Sequence, residues 1–278
     1  MKIIFYAPDG VGDKLLVAAV MGGAARHGDD VRFVVLSEYR GVIAEADVAA
    51  CYGVRASSRI ILDAYRRAGK RTLFFDKGYW GRGNYTRVAI DDWHPRFDWL
   101  REGARERLVA SGLELCAPRA LADRNVIYAA TTQTWCDFYD LGPARALDEI
   151  IVQLLSRQYP SRVVYRPRPA YAVKHPELCT AIAGAMLSNP ATPLTLALED
   201  CDLLVTLGSN AAVEARAAGV ETCVLGEHPL RWLNGRRNAA DVENLFAQLA
   251  YWQWTLEEYL SGDAWACIRR HLTVWSRR

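Results

Sequence analysis

A disulfide framework, a membrane span and a strong charge of either sign are all missing from this chain of 278 residues. Its seven cysteines (51, 116, 136, 179, 201, 223 and 267) are odd in number and include no CxxC pair. No zinc-ligand spacing is present, and the cysteines read as reduced thiols in a cytoplasmic protein. No apolar run approaches the ~18 residues that a membrane span needs. Net charge is only +2, so no basic field demands a nucleic-acid partner, and none is excluded. The chain also lacks a Walker loop, a full GxGxxG fingerprint, an internal repeat and a low-complexity linker. Residues 1–7 carry one charge and a short apolar run before Pro8-Asp9-Gly10. That run is too short for a signal peptide and reads as a first strand.

What is present suits two α/β domains of roughly 100–150 residues each, because hydrophobic residues make up 51% of the chain. Residues 3–7 read as a strand, 13–26 as a helix, and 31–36 as a strand followed by a polar helix. Residues 60–68 read as a helix and 71–75 as a strand. Strand and helix in alternation imply a parallel sheet with crossover helices. From 77 to 96 the periodicity fails: Gly78, Gly81 and Gly83 alternate with Tyr79, Trp80, Arg82, Tyr85 and Arg87. This content predicts a long functional loop. A helix is expected over 100–111.

The pattern restarts near Ala117-Pro118-Arg119. Strands are expected at 125–129, 163–165, 202–207 and 222–225, and helices at 144–158 and 211–218. Thr131-Thr132-Gln133-Thr134 reads as a polar turn and 193–198 as a short strand or turn. A Trp-rich helix over 254–275 is expected to pack across both domains. The fold class is therefore α/β, with two Rossmann-like domains facing a cleft. The boundaries are an acceptor-side domain at 1–122, a donor domain at 123–253 and a C-terminal helix at 254–278. Domain interfaces of this kind favour ligand sites.

The most informative stretch is Leu203-Leu204-Val205-Thr206-Leu207-Gly208-Ser209-Asn210-Ala211-Ala212-Val213-Glu214-Ala215. It reads as a buried strand, a tight turn and a helix start, which aims backbone N–H groups at an anion. Glu214, five residues after Ser209, is placed to accept hydrogen bonds from a ribose diol. Arg166 and Arg168, in Tyr165-Arg166-Pro167-Arg168-Pro169, follow a strand and suit bidentate phosphate recognition. Thr131, Thr132 and Gln133 end another strand and line the same edge, and His228 follows the strand after the Glu214 helix. Gly10 and Gly12 in the first turn let a ligand approach the backbone closely, with Asp9 beside them for the acceptor. Asp76, at a strand tip, is the first choice for general base and His94 the second. Lys77, Tyr79, Trp80, Arg82 and Arg87 would hold an extended anionic acceptor by charge and stacking. Each of these also has an ordinary structural use as a cap, turn residue or core side chain.

On Arg166-Pro167-Arg168-Pro169, the Gly208–Ala215 stretch and Gly219, the chain resembles the GT-B class of nucleotide-sugar glycosyltransferases. The similarity is to the capsular-polysaccharide transferases of the Kdo type and their phage-encoded relatives, over about residues 123–230. UDP-sugar 2-epimerases look related in the same region. The resemblance implies that the second domain holds the donor, a UDP-sugar before others. Ser209 and the helix start would lie on the diphosphate, Glu214 on the ribose, and Arg166 and Arg168 on phosphate. No cofactor and no metal is obligatory, because these positive groups can do a cation's task. Compact bacteriophage DNA glucosyltransferases, which modify hydroxymethylated pyrimidines, are similar in style, and the 77–96 loop would suit an extruded base in double-stranded DNA. The expected acceptor is thus a hydroxymethylated pyrimidine, with a capsule or other glycan as the alternative, in the host cytoplasm if phage-encoded. A nucleotide-sugar epimerase, a glycerophosphotransferase and an inactive nucleotide-binding module on the same scaffold remain open.

Overall fold

The computed structural model describes residues 1–81, 83–96, 101–120, 122–123, 125–169, 173 and 179–274. In chain order the first elements are β1 (Lys2–Ala7), α1 (Val11–Arg26), β2 (Asp30–Val35), β3 (Val48–Tyr52), α2 (Ala56–Arg67), β4 (Arg71–Lys77) and β5 (Tyr85–Ile90). Then come α3 (Ala104–Ala110), β6 (Asn125–Ala129), α4 (Gln133–Tyr139), α5 (Ala144–Gln158), β7 (Val163–Arg166), β8 (Met186–Leu187) and α6 (Leu194–Ala197). Last are β9 (Cys201–Thr206), α7 (Ala211–Ala217), β10 (Glu221–Val224), α8 (Ala239–Tyr251), β11 (Gln253–Thr255), α9 (Leu256–Ser261) and α10 (Asp263–Val274). The elements form two compact units, Met1–Gly103 with Gln248–Arg278, and Ala104–Ala247. The expected boundaries stood at 122/123 and 253/254. The units divide elsewhere because β11 and the helices after it return to the first sheet.

The first unit holds a six-stranded sheet in the order β11-β5-β4-β3-β1-β2. Strands β1 to β4 are parallel, whereas β5 runs antiparallel to β4 and β11 antiparallel to β5. β1 is buried from Ile3 to its end because it lies inside a sheet covered on both faces. α2 buries Ile61, Leu62 and Tyr65 and keeps Arg59, Asp63 and Arg66 paired at its surface. α1 meets α9 so closely that a Cβ at Gly23 would collide with the Tyr259 carbonyl oxygen.

Several expectations for this unit need correction. The polar helix after β2 is a single 3-10 turn, Leu36–Glu38, and β3 follows it. Pairing with β1 on one side and β4 on the other outweighs the helix-like composition before it. The long loop at 77–96 contains β5, and Gly81 and Gly83 adopt the positive φ angles of the turn that leads into it. The Trp-rich segment is not one helix. Trp254 lies in β11, Thr255 and Glu258 form a capping box that starts α9, and Gly262 at φ +92° ends it. α3 begins at Ala104 rather than at 100, which lies outside the described residues, as does Trp275.

The second unit holds a five-stranded sheet in the order β10-β9-β6-β7-β8, parallel throughout. Its core joins Val126, Tyr128, Val163, Tyr165 and Val205 of the sheet with Ile151 and Val152 of α5. The segment at 193–198 is the short helix α6, and the polar turn after β6 gives way to α4 at Gln133. The two-residue strand β8 had no signal in the sequence. None of the seven cysteines is in a disulfide.

Candidate functional site

In the second unit the chain steps outward from β6 to β7 and β8, then returns to the other side of β6 for β9 and β10. The connections after β6 and β9 therefore leave in opposite directions. Open α/β sheets bind ligands in the crevice that this reversal creates, at the carboxyl ends of the strands. Thr131 and Thr132 follow β6 and Gly208, Ser209 and Asn210 follow β9, so both border the crevice. Arg166 ends β7, in register with Ala129 of β6, and His228 follows β10.

Arg166 and Ser209 share this edge but are not on neighbouring strands, since β6 lies between β7 and β9. Their strands are about 10 Å apart at ordinary sheet spacing. The Arg166 guanidinium is buried; Nη1 donates to Ser188 Oγ (3.0 Å) and Nη2 to the Thr192 carbonyl (2.6 Å). Burial lowers its pKa, and the Glu214 carboxylate opposes that shift. Glu214, exposed on α7, is thus within electrostatic reach of Arg166. Arg168 is exposed just beyond.

The turn after β9 is braced from three sides. Thr206 Oγ1 donates to the Ala129 carbonyl (3.0 Å) and accepts from the Ser209 N–H (3.2 Å). Ser209 Oγ accepts from the Ala211 N–H (3.2 Å), which closes a serine turn just before α7. His228 is buried, and its Nδ1 accepts from the Leu230 N–H (3.2 Å). Its Nε2 therefore carries the proton and donates to Asn210 Oδ1 (3.2 Å). Gln133 serves locally, accepting from the Ala144 N–H (2.9 Å) and donating to Asp137 (2.7 Å). Thr132 Oγ1 caps α4 at Trp135.

Two side chains at this edge escaped the sequence reading. Asp148 of α5 is buried and accepts from Tyr128 Oη (2.7 Å), Tyr165 Oη (3.1 Å) and the Thr131 N–H (3.4 Å). Burial pushes its carboxyl up to about 6 despite these bonds. Its signal was an aspartate at helical spacing from Ala144, Ile151 and Val152. The second is Trp135, against which Gly208 and Gly226 are packed.

In the first unit the corresponding reversal lies between β1 and β3. Asp9, Gly10 and Gly12 follow β1 and are exposed; Asp9 pairs with Lys14 (2.6 Å). Asp13 folds back over Gly10, its Oδ2 2.6 Å from where a Cβ would stand. Burial pushes the Tyr52 hydroxyl, at the end of β3, up to about 12, and the charges of Asp76 and Asp13 push the same way. Asp13, Tyr52 and Asp76 thus gather at one edge, a grouping that the spacing did not reveal.

Asp76 Oδ2 accepts from Arg87 Nη2 (3.1 Å). Arg87 Nη1 donates to the Trp93 carbonyl (2.8 Å) and lies 3.3 Å from His94 Nδ1. Tyr79 Oη is 3.0 Å from the same nitrogen, so His94 Nδ1 is an acceptor and Nε2 holds the proton. Three acceptor-side expectations need correction here. Tyr79 (1% exposed), Trp80 (8%) and Arg87 (4%) turn into the core, because β5 pairs with β4 and draws the segment inward. Lys77 is exposed, and Arg82 lies outside the described residues. Among the described residues no group of three or more His, Cys, Asp or Glu is placed to hold a metal ion. No described helix is long and apolar enough to cross a membrane.

No protein-family model matches the chain, and no curated protein is significantly similar to it. Solved structures do share its fold. The β-Kdo 2,4 transferase of Thermosulfurimonas dismutans KpsC is similar with a TM-score of 0.53, at 11% identity, over 90% of this chain and 91% of that one. The β-Kdo 2,7 transferase of the same KpsC has the same TM-score and identity, over 94% and 98%. A UDP-GlcNAc 2-epimerase of Methanocaldococcus jannaschii overlaps more loosely, with a TM-score of 0.38 at 8% identity over 99% and 100%. Identities this low speak to fold alone, and the fold, mixed α/β with two Rossmann-like sheets, is of the GT-B type.

Proposed function

We propose that the protein is a glycosyltransferase that takes its sugar from a nucleotide sugar and delivers it to a glycan hydroxyl. The observation that carries this reading is the placement of Arg166 and Glu214 at the reversal of the second sheet, close enough for one charge to act on the other. A guanidinium suits phosphate and a carboxylate suits ribose hydroxyls. A nucleotide presents both. The fold shared with the two Kdo transferases supports the same reading.

In this reading the second unit binds the donor through Arg166, Arg168, the Gly208-Ser209-Asn210 turn and Glu214. An acceptor hydroxyl attacks the anomeric carbon and loses its proton to a carboxylate, for which we propose Asp76. The bond from that carbon to the phosphate oxygen breaks, and its electron pair leaves with the nucleotide. Arg166 and Arg168 stabilise the charge that develops there. Tyr79 and Trp80, the aromatic side chains that would stack on an extruded base, turn into the core, and Arg87 is paired with Asp76, which favours a glycan acceptor over DNA.

The test is a transfer assay with UDP-, GDP- and CMP-sugars against a glycan array and hydroxymethylated DNA, read by mass spectrometry. Glycosylated glycan is the expected product. Modified DNA alone would reverse the acceptor assignment, and an isomerised donor without acceptor would make the protein an epimerase. Neither transfer nor nucleotide-sugar binding by thermal shift would overturn the proposal.

A further inference from the structure

We infer that Trp135 is the platform on which the nucleobase of the donor stacks. The inference rests on the nucleotide-sugar reading and adds to it the residue that receives the base. Trp135 lies in the first turn of α4, directly after β6, where its N–H donates to Thr132 Oγ1 (3.3 Å). Its indole extends over the two neighbouring strand ends. Cζ2 is 2.6 Å from where a Cβ of Gly208 would stand, and Cη2 is 2.7 Å from the same position at Gly226. Gly208 follows β9 and Gly226 follows β10, so one aromatic ring spans the tips of adjacent parallel strands. Real Cβ atoms essentially never come so close, so both positions need glycine to seat the indole. Tyr139 backs the ring at 4.5 Å between centroids, tilted by 45°.

With its edge on two glycines and Tyr139 behind it, Trp135 is nevertheless only half-buried. An indole braced in this way and still partly open stands beside the Gly208-Ser209-Asn210 turn, which leads into the helix that carries Glu214. Ribose and base are joined, so a ribose on Glu214 leaves its base to find a flat surface nearby. The stacking face of an aromatic residue accepts any base, and it contributes affinity without choosing among them.

The inference is tested by calorimetry with UDP, CMP and inorganic pyrophosphate on the wild type, Trp135→Ala and Trp135→Phe. Alanine is expected to weaken nucleotide binding roughly tenfold to a hundredfold. Pyrophosphate should bind as before, and phenylalanine should recover most of the loss. Should the alanine variant fold poorly, fluorine NMR of 5-fluorotryptophan protein gives a second measurement. The resonance missing from Trp135→Phe should move with UDP and stay still with pyrophosphate. Equal losses for UDP and pyrophosphate, unchanged UDP affinity or a stationary resonance would overturn the stacking role while leaving nucleotide binding intact. A wild type that binds none of these ligands would instead count against the nucleotide-sugar reading itself.

Discussion

Two buried arginines, Arg87 in the first unit and Arg166 in the second, carry the same charge into different company. Arg87 meets a carboxylate directly, in its 3.1 Å pair with Asp76, and its other nitrogen goes to the Trp93 carbonyl. Arg166 spends its hydrogen bonds on neutral acceptors, the Ser188 hydroxyl and the Thr192 carbonyl, and feels Glu214 only through space. The charge of Arg87 is therefore cancelled where it sits, and it holds a core together. The charge of Arg166 is oriented without being cancelled, which is what an anion site requires. Buried carboxylates repeat the contrast. Burial raises Asp29 of the first unit, but the N-terminal ammonium, Trp265 and Arg269 outweigh it and leave its pKa lowered. At Asp148 of the second unit the hydrogen-bond partners are hydroxyls and one N–H, the charge of Arg145 acts only through space, and burial prevails.

The sharpest way to break this contrast is Arg87→Ala. It leaves Asp76 without its cation and should cost about 3 kcal/mol, read from urea unfolding. A loss below about 1 kcal/mol would mean that the pair does not hold the first unit together. Arg166→Ala should cost less stability, about 1–2 kcal/mol for two hydrogen bonds. Its larger effect should be on nucleotide affinity, measured by calorimetry, and Arg166→Lys should restore little of it because the fork is lost. Unchanged affinity would place Arg166 with Arg87 as a purely structural residue.

Asp148 sharpens the comparison through pH. Its folded pKa, about 6, lies above the ordinary carboxylate value of 3.8. Between these two values the folded state binds more protons than the unfolded one, so this group's contribution to stability falls as pH rises from 3.8 to 6. Asp29, with a lowered pKa, contributes in the opposite sense, and its stabilisation is lost as pH falls below the ordinary value. Melting curves of Asp148→Asn should lose the decline between pH 4 and 6, and an unaltered profile would reject the assignment. Arg168→Ala is the mildest test. The residue is exposed, so stability should change by less than about 0.5 kcal/mol, while donor affinity falls measurably.

Legibility in the sequence followed the range of the interactions. The second unit was the more readable. Its strands at 125–129, 163–166 and 201–206 and the helices after Pro143 and Asn210 lie within a residue or two of where periodicity put them. Glycine, proline and fully buried apolar runs mark these elements locally. In the first unit nothing local marks β3 or β5 as a strand: β3 follows a helix-like composition, and β5 lies in a segment of glycine, aromatic and basic residues. Trp254 read as helix because nothing near it says that Gln253 pairs with Arg87 from the far end of the chain. At the candidate site, Arg166, Ser209 and Glu214 could be placed at one edge from strand order. Asp148 and Trp135 could not, since their partners lie on other elements.

The sequence by itself determined the α/β alternation, two glycine-punctuated sheets and a strand–turn–helix carrying serine and glutamate, because those properties depend on a few neighbouring residues. The tertiary structure decided which basic and aromatic side chains stay at a strand edge and which become core. Strand pairing made that choice. β4 and β11 flank β5 and draw Tyr79, Trp80 and Arg87 inward, while the reversal around β6 sets Arg166, itself buried, at the same carboxyl end of the second sheet as Trp135 and Glu214. Burial and the charge of a partner depend on residues brought together from distant parts of the chain, and composition along a segment does not record them.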